Sequence, residues 1–431
     1  MINQSIGNYV DSAMTIFGAE TNLRRQLPSV YDGLKPVYRR LINTAIKLGN
    51  GNFIKTANII GTTMGTTHPH GDSSMINPVS NMVRWKIFDG HGNHGLKSLR
   101  GPDKDKDPAA PRYTGARISQ GYDKFFHNLM PYVPYDEAEL EGNVEPRFLP
   151  TPYPICLTHG TLGIGQGVNC RIPAFTMKSI HEAFIHDDPT LLEAPFGLEL
   201  VKDQSELESL WTTGLGKLTY RYRVYADNYD GGYGVFIQGE AELFKPNLAP
   251  LNDLVDQQKI YITDNSSKQS RLILGINKRI RMDYNELLGM ARKAATHSKT
   301  FRLTVADNDT FYIIPMRSWC AFTYENYCNI VRSYQTDNIN KLEFNYKVYK
   351  YTKQVARAII DHEEYSTEDI VNLINTPECD YDVVDAISAK SLKTLMRMDT
   401  ESKLRSIESK LEEFRSIEPN KFIQSVIDEF D

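Results

Sequence analysis

Tyr113 sits in the segment Ala109-Ala110-Pro111-Arg112-Tyr113-Thr114-Gly115-Ala116-Arg117, directly beside a permanent cation. A phenol so placed is suited to attack a phosphodiester. Its ordinary pKa is about 10, so at neutral pH it needs a neighbouring charge or base that favours the phenolate. Arg112 supplies such a charge and can also hold the phosphate under attack. The chain has 24 tyrosines, most of them expected in the core or at its rim, so the company this one keeps decides its reading.

That company is basic. From Thr21 to Arg117 there are 15 Lys/Arg against 6 Asp/Glu, a local balance of +9 in a chain whose net charge is −5. Such asymmetry marks a place for polyphosphate to dock, the alternative being a merely solvated face. Arg25, Lys35, Arg39, Arg40, Lys55, His68, His70 and Ser73 are the candidates for phosphate contact. Phosphate contacts position a duplex without reading its sequence. His68 and His70 also have the look of a metal pair, but Pro69 makes a turn between them and no third ligand lies at a convincing spacing. Asp103, Asp105 and Asp107 resemble the start of a calcium loop, yet Pro108 stands where that loop needs glycine and Thr114 where it needs glutamate, so an exposed acidic loop is expected. The run Gly163, Gly165, Gly167 fails the dinucleotide pattern at Val168. No metal site is therefore expected on this chain. Five cysteines without a C-x-x-C pair suggest neither zinc nor disulfides, and fit a reducing cytoplasm. With no signal-like start and no apolar run of membrane length, a soluble, unprocessed protein is expected.

Three segments, Arg25 to Arg40 (with Leu34-Lys35-Pro36-Val37-Tyr38-Arg39-Arg40), His68 to Ser73 and Ala109 to Arg117, resemble in order and spacing the breakage-reunion subunit of type IIA DNA topoisomerases, as found in gyrase A and topoisomerase IV A. The chain's length and its short coiled-coil-like end resemble most the medium subunits of T-even bacteriophage topoisomerases. The family has a histidine where this chain has Tyr38. The resemblance implies that Tyr113 forms a transient 5′-phosphotyrosine link, with Arg112 stabilising charge on the phosphoryl oxygens. Leu162-Gly163-Ile164-Gly165-Gln166-Gly167 resembles the loop that pushes an isoleucine between base pairs, which makes Ile164 a wedge; a buried strand residue is the alternative. Neither a P-loop nor a segment resembling the GHKL ATPase or the toprim acidic cluster is present, so Mg2+ and ATP are expected on toprim/ATPase partner subunits. One tyrosine per chain implies a homodimer to cut both strands of double-stranded DNA. The family's DNA-wrapping domain has no room here, which favours relaxation and decatenation over supercoiling. Fluoroquinolones bridge to a serine and an acidic residue in this family; the matching positions are Ser73 and Asn77, which predicts weak sensitivity. The location is cytoplasmic, the bacterial host's cytoplasm if the protein is phage-encoded. The runner-up is a non-catalytic, DNA-bending architectural protein on the same scaffold; a site-specific nuclease or recombinase is more distant.

These residues need elements to carry them. Apolar residues at helical spacing predict an amphipathic helix from Ile6 to Phe17, in a 1–20 segment that either packs on its own domain or, by resemblance, contacts the partner subunit. Helices are expected over Val37–Leu48 and Ser73–Trp85, the second capped by Asp72. By resemblance, residues 21–145 form a winged-helix domain. Alternation in Leu218–Tyr225, Gly234–Leu243 and Arg271–Ile276, with a turn at Asp230-Gly231-Gly232, predicts strands for 146–325, the mixed α/β tower domain of the family. Residues 326–431 read as a coiled-coil arm and C-gate, with Leu404, Ile407, Leu411, Phe414 and Ile417 as a two-heptad seam. Its expected partner is a helix around Val348 to Ile360, and Pro377 to Lys393 is the candidate cap. The fold class is thus α+β and multidomain.

Overall fold

The apolar spacing at the start of the chain does form a helix, α1 (Ile6–Thr21), but almost none of it is covered. Ile6, Tyr9, Val10, Met14, Ile16 and Phe17 are all exposed, and its one buried residue is Gly18. The computed structural model describes residues 6–230, 232–266, 270–280, 282–361, 366–428 and 430. These divide into two units, one running to Tyr327 and including the end from Val426, the other Cys328–Ser425.

In the first unit, the basic region folds as three helices and a small sheet. Helix α2 (Pro36–Gly49) starts on a proline, whose missing N–H costs nothing at the first helical position, and ends on Asn50 in the left-handed conformation. It buries Leu41, Ile42 and Ala45. Helix α3 (Thr56–Thr66) buries Ile59, Ile60 and Thr63, and the Thr63 hydroxyl donates to Thr44 at 2.9 Å. Helix α4 (Ser73–Arg84) begins as its sequence predicts: the Asp72 carboxylate accepts from the Ser73 N–H at 2.7 Å. Strands β1 (Ile54–Lys55), β2 (Phe88–His91) and β3 (Gly115–Ile118) form an antiparallel sheet with β3 in the middle. Lys55 and His91 both pair with Gly115, two residues after Tyr113.

A larger antiparallel sheet follows, in the order Ile260–Asp264, Arg271–Ile276, Gly232–Gln238, Leu215–Tyr229, Thr296–Arg302, Asn169–Ile172, Thr161–Ile164. The alternation read in the sequence is real: Leu218, Tyr220, Tyr222 and Val224 are buried. The strand expected over Gly234–Leu243 stops at Gln238, where Gly239 turns at φ +148 beside the Tyr222 ring. Of the expected turn, Gly232 already belongs to the strand and Gly231 lies outside the described residues.

In the second unit, the long helix Met316–Asp361 supplies its residues from Cys328 onward and runs antiparallel to the helix Thr400–Arg415. Gln335 donates to the carbonyls of Phe414 and Ile417, Arg415 pairs with Glu343 at 2.7 Å, and the Tyr346 hydroxyl donates to Glu408. The end of the seam, Phe414 and Ile417, therefore meets Tyr334 and Gln335 rather than the expected Val348–Ile360. The latter are already occupied. Val348, Tyr351, Val355 and Ala358 form a core with Ile370, Val383, Val384, Ile387 and Leu395 from three short helices, Thr367–Ile374, Tyr381–Ser388 and Leu392–Arg397. The Pro377–Lys393 stretch supplies the middle of these. Among the described residues no helix is long and apolar enough to cross a membrane, and all five cysteines are free and buried.

Candidate functional site

Pro111 presets a single 3-10 turn, Pro111–Tyr113, that presents Tyr113 just before β3. The side chain is 68% exposed. The Arg112 guanidinium lies over its ring, 4.6 Å from the centroid. The backbone behind it is held at several points. Tyr113 N–H donates to Ala110 O at 2.9 Å, the first N–H of α3 (Thr56) donates to Thr114 O at 3.0 Å, and Ala109 N–H donates to Asn93 O at 2.9 Å. Gly92, at φ +85, lies so near that a Cβ there would stand 2.8 Å from the Tyr113 carbonyl oxygen. Lys55 is exposed on β1, in register with Gly115. Sequence reasoning missed Gly92, because only the fold brings β2's end against the tyrosine turn.

A second group gathers Arg25, Arg40, His68 and His70. His68 is buried, and its Nδ1 lies 2.9 Å from the Arg40 guanidinium. Burial, then Arg40 and His70, push its pKa down to about 4. Arg25 approaches His70 Nε2 at 3.5 Å, and Glu139 joins them at 3.4 Å from the same nitrogen. Glu139 is thus the third donor the sequence spacing did not offer: the ligand atoms of His68, His70 and Glu139 lie within 4.8 Å of one another. The surroundings oppose a cation there. A guanidinium can only donate, so the His68 Nδ1 lone pair is already taken and Nε2 carries the proton. Arg24 and Arg40 also flank the Glu139 carboxylate. The group fits an anion better than a metal ion.

Arg39 and Arg40 are engaged rather than free. Arg39 forms a two-pronged pair with Asp32 at 2.7 and 2.9 Å. Asp32 is fully buried and also accepts from the N–H groups of Leu34 and Leu149. Arg40 pairs with Glu145 at 2.6 and 2.8 Å and with Glu139 at 3.3 Å. Both arginines tie α2 to its surroundings, a role their position in a basic run did not reveal. Asp105 is likewise not a free acidic group: it pairs with Lys97 and Lys245 and accepts from Ser98 N–H, which hold its carboxyl below the usual range against the cost of burial.

Lys35 lies elsewhere, in a cleft of about 530 Å³ lined by Trp85, His159, Arg171, His297 and Lys299. Burial pushes its ammonium pKa down, and it donates to Leu162 O at 2.8 Å. Tyr38 packs its ring on Trp85. Next to Lys35 is the hairpin of Thr161–Ile164 and Asn169–Ile172, which carries Ile164 at its tip, 71% exposed. The alternative of a buried strand residue is thereby overturned. Ser73 and Asn77 are both exposed, one turn apart on α4.

Among the described residues, no hydrogen bond or ion pair joins the tyrosine turn to the histidine group. The chain thus presents an exposed tyrosine beside a guanidinium, a group of arginines and histidines around Glu139, and an exposed apolar residue on a hairpin. The family model for the A subunits of DNA gyrase and topoisomerase IV matches residues 25–431, and the chain belongs to that family. It is similar to the DNA gyrase A protein of Dehalogenimonas lykanthroporepellens, 32% identical over 51% of this chain and 28% of that protein. The corresponding A protein of DNA topoisomerase 4 from Escherichia coli (strain K12) is 28% identical over 65% and 40%. The DNA gyrase A protein of Clostridium acetobutylicum is 29% identical over 70% and 38%. The matches thus span between a quarter and two-fifths of these relatives' length.

Proposed function

We propose that this chain is the DNA-cleaving and religating subunit of an ATP-dependent type II DNA topoisomerase. The observation that carries the reading is Tyr113, exposed on a turn fixed from behind, with Arg112 against its ring. The Tyr113 oxygen attacks the phosphorus; the bond to the 3′ oxygen of the neighbouring deoxyribose breaks, and that oxygen leaves with a proton. A 5′-phosphotyrosine remains. Because one ester replaces another, the freed hydroxyl can reverse the step without further energy. Arg112 stabilises the charge spread over the phosphoryl oxygens, most strongly where that charge develops.

The DNA lies along Arg25, Lys55, His70 and Ser73, all wholly or partly exposed, and along the cleft that holds Lys35. Arg39, Arg40 and His68 act from behind, holding α2 and the histidine turn. Ile164 enters a base step and bends the duplex, which costs a few kcal/mol of unstacking, offset by contacts with the bent DNA. The three helices and small sheet serve as the winged-helix gate, the larger sheet as the tower, and the second unit as arm and C-gate. Two copies cut the two strands. Mg2+ and ATP enter on toprim and ATPase subunits, for which the bare apolar face of α1 is the docking surface, and the assembly works in the cytoplasm. The likeness to phage medium subunits rests on length and a short coiled-coil-like segment and adds nothing to this reading.

The test is cleavage of plasmid by the full chain with its partner subunits, Mg2+ and a detergent quench. Tyr113→Phe should bind DNA within about twofold of wild type, since phosphate contacts dominate affinity, and give no double-strand breaks. Undiminished breaks in Tyr113→Phe would move the nucleophile elsewhere, and no breaks from the unaltered chain despite tight binding would favour a non-catalytic, DNA-bending scaffold.

A further inference from the structure

Asn22 opens a short π-helix, Asn22–Gln26, directly after α1. It is a polar residue only 1% exposed, and both ends of its side chain are bonded. The carboxamide Nδ2 donates to Gln166 O at 2.9 Å, and Oδ1 accepts from Gln166 N–H at 2.9 Å. Both peptide groups of one residue, 144 positions away, are therefore bonded by one side chain. Such a pair fixes the loop in place and in orientation, as a strand pairing would. Gln166 lies two residues after Ile164.

Close packing reinforces the clamp. A Cβ at Gly165 would overlap Asn22 Oδ1, and one at Gly163 would overlap the Gln26 carbonyl. From the other side, a Cβ at Gly18 would stand 2.6 Å from Gln166 Oε1. Gly163 and Gly165, part of a run that fits no nucleotide motif, sit where the 18–26 segment comes too near for a side chain. These contacts hold the turn that follows Ile164, whose own side chain is left exposed.

We propose that Asn22 is a positioning residue for Ile164, holding the wedge in the orientation that enters a base step. The inference rests on the reading of Ile164 as a wedge. A side chain that must force apart stacked bases gains from being held in place beforehand, because ordering it during binding would subtract from the bend. π-helical turns are rare and concentrate at functional sites, which fits a turn whose first residue does this.

The experiment compares DNA bending and affinity, by energy transfer between end-labelled duplex termini, for the full chain and four variants. Ile164→Ala tests the wedge itself. Asn22→Asp keeps size and shape but faces the Gln166 carbonyl with an oxygen, turning one of two bonds into a repulsion. It should lower the bent-to-straight ratio by about tenfold, the scale of one or two lost buried hydrogen bonds, with affinity for pre-bent DNA little changed. Gly165→Ala should do the same by a different route. The double variant Asn22→Asp/Ile164→Ala should bend no less than Ile164→Ala alone, since residues acting through one another are not additive. Wild-type bending in Asn22→Asp or Gly165→Ala, while Ile164→Ala is impaired, would overturn the proposal, and so would additive losses in the double variant. Wild-type bending in Ile164→Ala would instead remove the wedge reading, and the proposal with it.

Discussion

Asp32→Ala is the sharpest test of how the basic region is held. The carboxylate is fully buried and carries four bonds: two from Arg39, and one each from the N–H groups of Leu34 and Leu149. Removing it leaves a nearly buried guanidinium without its counter-charge and with only its 3.3 Å bond to Leu34 O, a loss of about 3–5 kcal/mol. Two backbone N–H groups are also orphaned, at about 1–3 kcal/mol each. The losses overlap because the vacated space can admit water, so we set the floor at about 3 kcal/mol. The assay is urea unfolding followed by tryptophan fluorescence. All three tryptophans, Trp85, Trp211 and Trp319, belong to the first unit, so the signal reports that unit's transition. The slope against urea should be unchanged, so that the midpoint reads stability. Asp32→Ala/Arg39→Met should recover part of the loss, because the uncompensated charge is then gone. A loss below about 1 kcal/mol would show that the pair carries no such weight.

Three further outcomes follow from the same geometry. Gly92→Ala places a methyl against the Tyr113 carbonyl at a positive φ, and should lower the rate of DNA cleavage by at least about tenfold while plasmid binding in a gel-shift assay stays near wild type. His68 is held neutral, with its pKa down at about 4 against 6.5. The unfolded chain therefore binds the proton first as pH falls, and stability is lost between about pH 6.5 and pH 4, by about 2 kcal/mol after allowing for solvent near the ring; His68→Asn should flatten that part of the pH profile in urea melts. Asn77 lacks the charge that a drug-bound metal would meet beside Ser73, so Asn77→Asp should raise fluoroquinolone-stimulated cleavage, and an unchanged dose response would count against that reading.

What the sequence shows and hides here follows from range. The cap of α4 was legible because its partner is one residue away. The tyrosine turn was legible because Pro111, Arg112 and Tyr113 are contiguous. Arg39 and Arg40 read as phosphate contacts because the carboxylates that hold Arg40, Glu139 and Glu145, are about a hundred positions off, and Asp32, only seven away, looked like one acid in a basic run. Glu139 escaped the histidine turn for the same reason. The apolar seam at Ile407 and Leu411 gave the right face of its helix, but periodicity names no partner, and the core around Val355 had already taken the stretch expected to pair with it. The glycines around Ile164 were visible as a pattern; their cause, the approach of Asn22 and Gln26, was not.

The central claim is tested most directly by finding the covalent bond. The full chain, its partner subunits and Mg2+ are mixed with end-labelled plasmid and quenched with detergent. The adduct is then digested with protease and nuclease, and the modified peptide is sequenced by mass spectrometry. The account predicts one labelled peptide, spanning Ala109 to Arg117 with a nucleotide on Tyr113, and none from Tyr113→Phe. A nucleotide on any other residue, or label that persists in Tyr113→Phe, would contradict it.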